Sequence, residues 1–259
     1  MSVLKRNGYF YLLCTLFLCF LILLTKLWLE GFWYLNTEKK NNAIDFSDNS
    51  GEADCILATE SLLTEKDAAS TINDAKDSVM WEEQLSTLQA EYKNVVGWLQ
   101  SVDESISYPV MFSGDNTYYL EHAYDDTESR AGSLFLDAAC SGDWSAPLSI
   151  IHGHNMKDLS MFGSLKFYKT DTDFLQKNPY FKLFTESGEY VYRVFAFCDV
   201  AEDDILYSFE ERPIVSAMRL QVASYVDCRV PIRNDDKFLF LSTCSSEGKH
   251  FIVCTVLEK

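Results

Sequence analysis

The chain has 259 residues, 47% of them apolar, and a formal net charge of −17, which suits one domain of ordinary size with a targeting segment and a linker. Without Lys5, Arg6, Lys26 and Glu30, which flank the first apolar run, 19 basic and 38 acidic residues remain, so the rest of the chain is near −19. That balance excludes nucleic acid as a partner and disfavours docking of the domain on anionic lipid, because both need basic patches.

The chain opens with a short basic stretch (1–7) and an apolar run (8–29), at whose end an aromatic cluster follows at Trp28, Phe32, Trp33 and Tyr34. About 20 apolar residues suffice to span a bilayer, and no small-residue cleavage site follows, so an uncleaved single-pass anchor is expected. Lys5 and Arg6 place the N-terminus in the cytoplasm and the rest outside the cell membrane. Residues 30–77 are polar, acidic and poor in aromatics, and read as a flexible stalk. Residues 78–259 are expected to form the catalytic domain. Asp77 or Ser78 can cap a helix in which Trp81, Leu85, Leu88 and Tyr92 share one face.

Beyond Asn94 the pattern changes to short apolar runs punctuated by Gly, Asp, Asn and Pro. Strands are predicted at 95–99, 133–136, 148–152, 180–184, 190–197, 238–241 and 251–257, with helices at 160–168 and 213–227. Many short strands with few helices predict a mainly β fold, a closed or nearly closed barrel with appended helices.

None of the eight cysteines lies in a CxxC pair, so neither a zinc ribbon nor a thioredoxin-like motif is present, and no cofactor or metal is expected. Cys198 and Cys254 sit in apolar strand-like runs and read as core thiols. Cys244 ends the apolar run Leu239-Phe-Leu-Ser-Thr-Cys244, where a Ser/Gly turn leaves it open to react. His154 ends a second such run, Ile150-Ile-His-Gly-His154. Two strand ends can bring a thiol and an imidazole together. On these residues alone, a reactive pair and a buried thiol beside a satisfied histidine both fit.

The wider wording resembles the class B sortases. Asn94-Val-Val-Gly-Trp-Leu99, Ser107-Tyr-Pro-Val110, Asp115-Asn-Thr-Tyr-Tyr-Leu120 and Gly132-Ser-Leu-Phe-Leu-Asp137 are similar to that family's opening segments. His152-Gly-His-Asn-Met156 with Met161-Phe-Gly-Ser-Leu165 is similar to its catalytic-histidine segment, and Leu241-Ser-Thr-Cys244 to its nucleophile segment. The resemblance implies an eight-stranded sortase-type β-barrel with an N-terminal helical extension. It implies a cysteine transpeptidase that cleaves a C-terminal sorting signal of secreted proteins through a thioester. The acyl group then passes to a peptidoglycan stem-peptide amine. It assigns Cys244 as nucleophile, His154 as acid and base, and Asn116, Leu120 and Thr243 as substrate contacts. The lipid bilayer is the partner of the N-terminal helix.

One departure from the family stands out. Its arginine on the strand after the nucleophile is absent from Ser245-Ser-Glu-Gly-Lys-His250-Phe-Ile-Val-Cys254, where His250 falls at that position in a shortened loop. An imidazole has fewer donors than a guanidinium and no permanent charge. His250, Lys249, Arg229 and Arg233 are therefore all candidates for its role. A sortase-fold module kept only for binding, and an endopeptidase transferring to water, stand as alternatives.

Overall fold

The computed structural model of the protein describes residues 81, 83–246 and 248–258. The expected N-terminus, anchor and stalk (1–77) lie outside the described residues, as does the cap at Asp77 or Ser78. Among the described residues no helix is long and apolar enough to cross a membrane.

Eight strands close into the expected barrel. They are β1 (Val95–Ser101), β2 (Ser107–Met111), β3 (Leu134–Leu136), β4 (Leu148–His152), β5 (Tyr180–Thr185), β6 (Gly188–Ala201), β7 (Phe238–Ser246) and β8 (Lys249–Leu257). Their order is β1-β2-β3-β4-β7-β8-β6-β5, and β5 pairs back onto β1. The β2–β3 and β4–β7 pairs are parallel and the others antiparallel. Residues 81 and 83–91 form helix α1, Phe167–Thr170 α2, Phe174–Lys177 α3 and Pro213–Ala223 α4.

The two-residue period of the strands sorts their side chains. Leu239 and Leu241 of β7 join Phe251 and Val253 of β8 in a cluster with Leu99, Val110, Leu134 and Ile151, which is the barrel interior. Phe238, Phe240, Ile252 and Cys254 point the other way and are covered by Ala217 and Leu220 of α4 and by Leu206. The even-numbered residues of β7, Ser242 and Cys244 included, therefore belong to the outer face. Leu85 and Leu88 of α1 pack on Trp98, Phe135 and Phe184, with Trp81 stacked on Phe184 at 4.4 Å.

Three of the differences from the predicted elements have a local physical cause. β2 escapes the pattern because it contains Pro109, which cannot donate to a ladder. Pro109 sits opposite Trp98, and β2 meets β3 only past it, at Val110 and Met111. The helix predicted at 160–168 is a 3-10 turn (Gly163–Lys166) running into α2. A Cβ on Gly163 would lie 2.2 Å from the Met156 carbonyl oxygen, and Leu159 and Met161 have φ of 78° and 51°, so this stretch is a loop folded back on itself. Helix α4 ends at Ala223, short of the predicted 227, because Ser224 turns extended; its hydroxyl accepts from the Phe197 N–H at 3.1 Å, and Tyr225 N–H donates to the Phe197 carbonyl.

Candidate active site

The parallel β4–β7 ladder pairs Leu148 with Phe238 and His152 with Ser242; carried two residues further, the same register sets His154 level with Cys244. The two chains stay together past the ladder. Gly153 N–H donates to Ser242 O at 3.1 Å, and Asn155 Nδ2–H donates to Cys244 O at 2.8 Å. Residue 153 must be glycine for this approach: a Cβ there would lie 2.4 Å from Leu134 Cδ2 and 2.8 Å from Phe162 Cδ2, both fully buried. Cys244 is exposed at the end of this floor.

The half-buried His154 has its ring held from the other side. Its Nε2 lies 2.8 Å from the Leu120 carbonyl oxygen, an acceptor only, so Nε2 carries the hydrogen. That leaves Nδ1 for proton exchange. Leu120 thus serves the site through its backbone, while its side chain packs against the α1 cluster.

Behind His154, a relay of three residues crosses the floor. Asp137, directly after β3, is 3% exposed, and its Oδ2 accepts from His152 Nε2–H at 2.8 Å and from Asn116 Nδ2–H at 3.0 Å. Its Oδ1 accepts from the Ala139 N–H at 2.8 Å. Burial alone would raise the carboxyl pKa, but the hydrogen bonds from His152, Ala139 and Asn116 and the attraction to His152 outweigh it and hold the group ionised. Asn116 is occupied at both ends of its amide, since its Oδ1 also accepts from the Ala138 N–H at 2.7 Å.

His250 is the cross-strand partner of Cys244 and so shares its face. Its Nδ1 lies 2.9 Å from the Tyr207 hydroxyl, which is 2.8 Å from Ser242 Oγ. Burial first, and then repulsion from His152, lower its pKa against the opposing pull of Glu202. His250 is therefore a neutral imidazole at neutral pH, oriented by Tyr207. Among the other candidate cations, Lys249 is exposed and one residue out of phase with His250; Arg229 is exposed, its guanidinium 4.0 Å from Asp227. Arg233 is exposed, and its backbone N–H donates to Asp236.

Among the described cysteines only Cys244 is exposed. Burial raises Cys198 and Cys228 to about 11 and Cys140 to about 12, and pushes the fully buried Cys254 up as well, so these thiols stay protonated near pH 7. Thr243, one residue from the nucleophile, has the opposite phase. It is 4% exposed opposite Phe251, and among the described residues its hydroxyl has no hydrogen-bond partner. Sequence reasoning missed Asp137, Asn155 and Tyr207 as parts of the site. Asp137 and Asn155 lay inside the matched segments, whereas no sequence signal pointed to Tyr207.

No protein-family model matches the chain. Sortase B of Listeria monocytogenes is 34% identical over 195 residues, which are 73% of this chain and 78% of the relative. The solved structure of sortase B from Listeria monocytogenes aligns with a TM-score of 0.59 at 34% identity, over 67% of this chain and 99% of that one. A Staphylococcus aureus sortase B–substrate complex aligns with a TM-score of 0.63 at 23% identity, over 75% of this chain and 92% of that one.

Proposed function

The chain belongs to the class B sortase family, and we propose that it cleaves a C-terminal sorting signal through a thioester on Cys244 and passes the acyl group to a cell-wall amine. The observation that supports this reading is the β4–β7 register, which pairs His152 with Ser242 two residues before His154 and before Cys244, the one exposed thiol among the described residues.

In this reading Cys244 Sγ, as thiolate, attacks the scissile carbonyl carbon. A proton from His154 Nδ1 goes to the departing amine as the peptide bond breaks and the thioester forms. An incoming amine then attacks the thioester, gives its proton back to Nδ1 and releases the thiolate. His250 serves the developing oxyanion as a neutral donor through the nitrogen that Tyr207 leaves free, a weaker device than a guanidinium. The part of the Leu120 side chain that its packing leaves uncovered and the backbone of Thr243 meet the peptide. Asn116 supports the floor beneath it by holding Asp137. The 8–29 segment anchors the enzyme as a single pass with the domain outside the cell; protease added to intact cells then digests the domain, and full protection would refute that orientation.

The test is incubation of the full chain with a panel of sorting peptides, with and without an amine such as triglycine. Cleavage that needs Cys244 and His154 and yields an amine-linked product supports transpeptidation. Cleavage indifferent to the amine assigns an endopeptidase. Peptide binding without cleavage assigns a binding module.

A further inference from the structure

The β7–β8 pair is not regular at the nucleophile. Cys244 faces His250 and Ser246 faces Lys249, so Ser245 is an extra residue in β7 with no partner on β8. Such a bulge bends its strand and re-aims the neighbouring side chains, here the thiol of Cys244. A bulge left to itself is soft, because the extra residue contributes nothing to the ladder. This one is tied down by its side chain: Lys169 Nζ of α2 donates to Ser245 Oγ at 2.9 Å.

Lys169 is itself fixed by two further strands. Its Nζ also donates to Asp199 Oδ1 of β6 at 2.6 Å and lies 4.2 Å from the centre of the Phe251 ring of β8. Asp199 in turn accepts from the Tyr225 hydroxyl. The side chains of Lys169 and Asp199 are 24% and 20% exposed, so the ion pair itself is partly shielded from solvent although Lys169 stands at the surface. Burial would raise the Asp199 pKa, but hydrogen bonds from Lys169, Tyr225 and Ser245 bring it below the usual carboxylate range. The ammonium is balanced by Asp199, so its effect on Cys244 is one of position rather than of charge. On the opposite side, Asn155 holds the Cys244 carbonyl, so the residue is gripped from both directions.

We propose that Lys169 is a positioning residue for the nucleophile: by capturing the bulged Ser245 hydroxyl, it sets the angle at which β7 presents the Cys244 thiol to His154. The proposal rests on the Cys244–His154 pairing argued above, but its test needs no sorting peptide. The full chain is treated with iodoacetamide between pH 5 and 9, and modification of Cys244 is followed by mass spectrometry of its peptide. The wild type is compared with Ser245→Ala, Lys169→Met, their combination, Lys169→Arg and His154→Ala, and the melting temperature of each is recorded.

Ser245→Ala and Lys169→Met should each slow modification at pH 7 about three- to ten-fold. The two together should be no slower than either alone, since both break the same contact. Lys169→Arg should recover most of the rate. Ser245→Ala should keep the wild-type melting temperature, which separates aim from stability. Ser245→Ala modified like the wild type, or losses that multiply in the combination, would overturn the positioning role while leaving the pair intact. A wild-type modification rate left unchanged by His154→Ala would overturn both.

Discussion

Replacing Asp137 by Asn tests the floor of the site with almost no change of shape. The wild-type carboxylate accepts three hydrogen bonds, two on Oδ2 from His152 and Asn116 and one on Oδ1 from Ala139 N–H. The amide that replaces it must turn its NH2 group toward one of these two sets. Facing Ala139, it meets a backbone donor that has no other choice. Facing the other side, it meets His152, which can change tautomer, and Asn116, which can flip only by abandoning the Ala138 N–H. One donor is left unpaired either way, and the remaining bonds lose their charge assistance. Together these cost about 2–4 kcal/mol. For a domain of this size that lowers the melting temperature by about 10 °C. The native pKa of Asp137 lies below its unfolded value, so its contribution is present above about pH 4 and is lost as the pH falls through the native pKa. The gap between wild type and Asp137→Asn should therefore be full at pH 7 and shrink below pH 4. Urea unfolding at pH 7, 5 and 3 reads this directly. A change of less than about 2 °C at pH 7, or a gap that does not vary with pH, would refute the reasoning.

Gly153→Ala should destabilise the fold by about 1–3 kcal/mol and slow iodoacetamide modification of Cys244, because the new methyl would collide with buried Leu134 and Phe162 beside His154; denaturant midpoints and modification rates check both. Thr243→Val removes a buried hydroxyl that has no partner and should raise stability by about 1 kcal/mol, while peptide cleavage is unchanged if only the backbone of residue 243 meets substrate. His250 has a native pKa below its unfolded value, so acidification below about pH 6.5 should destabilise the wild type more than His250→Gln; equal losses between pH 7.5 and 5.5 would contradict its burial as a neutral group. His250→Arg should speed cleavage by restoring a permanent charge and a five-donor fork, and rates equal to wild type and to His250→Ala would exclude residue 250 from the mechanism.

The barrel and the candidate pair Cys244 and His154 were legible because their signals are local or verbal. Apolar runs such as Leu148–His152 and Phe238–Leu241 announce strands by composition, and the segments around His154 and Cys244 carry the family's wording in order. β2 was hidden by Pro109, and the stretch at 160–168 looked helical throughout because close approaches such as Gly163 to Met156 cannot be read from a linear pattern. Which face a residue occupies was likewise decided only by closure of the sheet. Neighbouring Thr243 and Cys244 differ by one step of the pleat, and that step turns one into the barrel and the other to the surface. The state of His250 depends on burial beside Tyr207 and His152, which come from a turn after β6 and from β4. The aim of Cys244 depends on a bulge held by Lys169, 76 positions away. Residue types and strand periodicity travel with the chain, whereas desolvation, partner choice and side-chain direction exist only once distant segments are packed against one another.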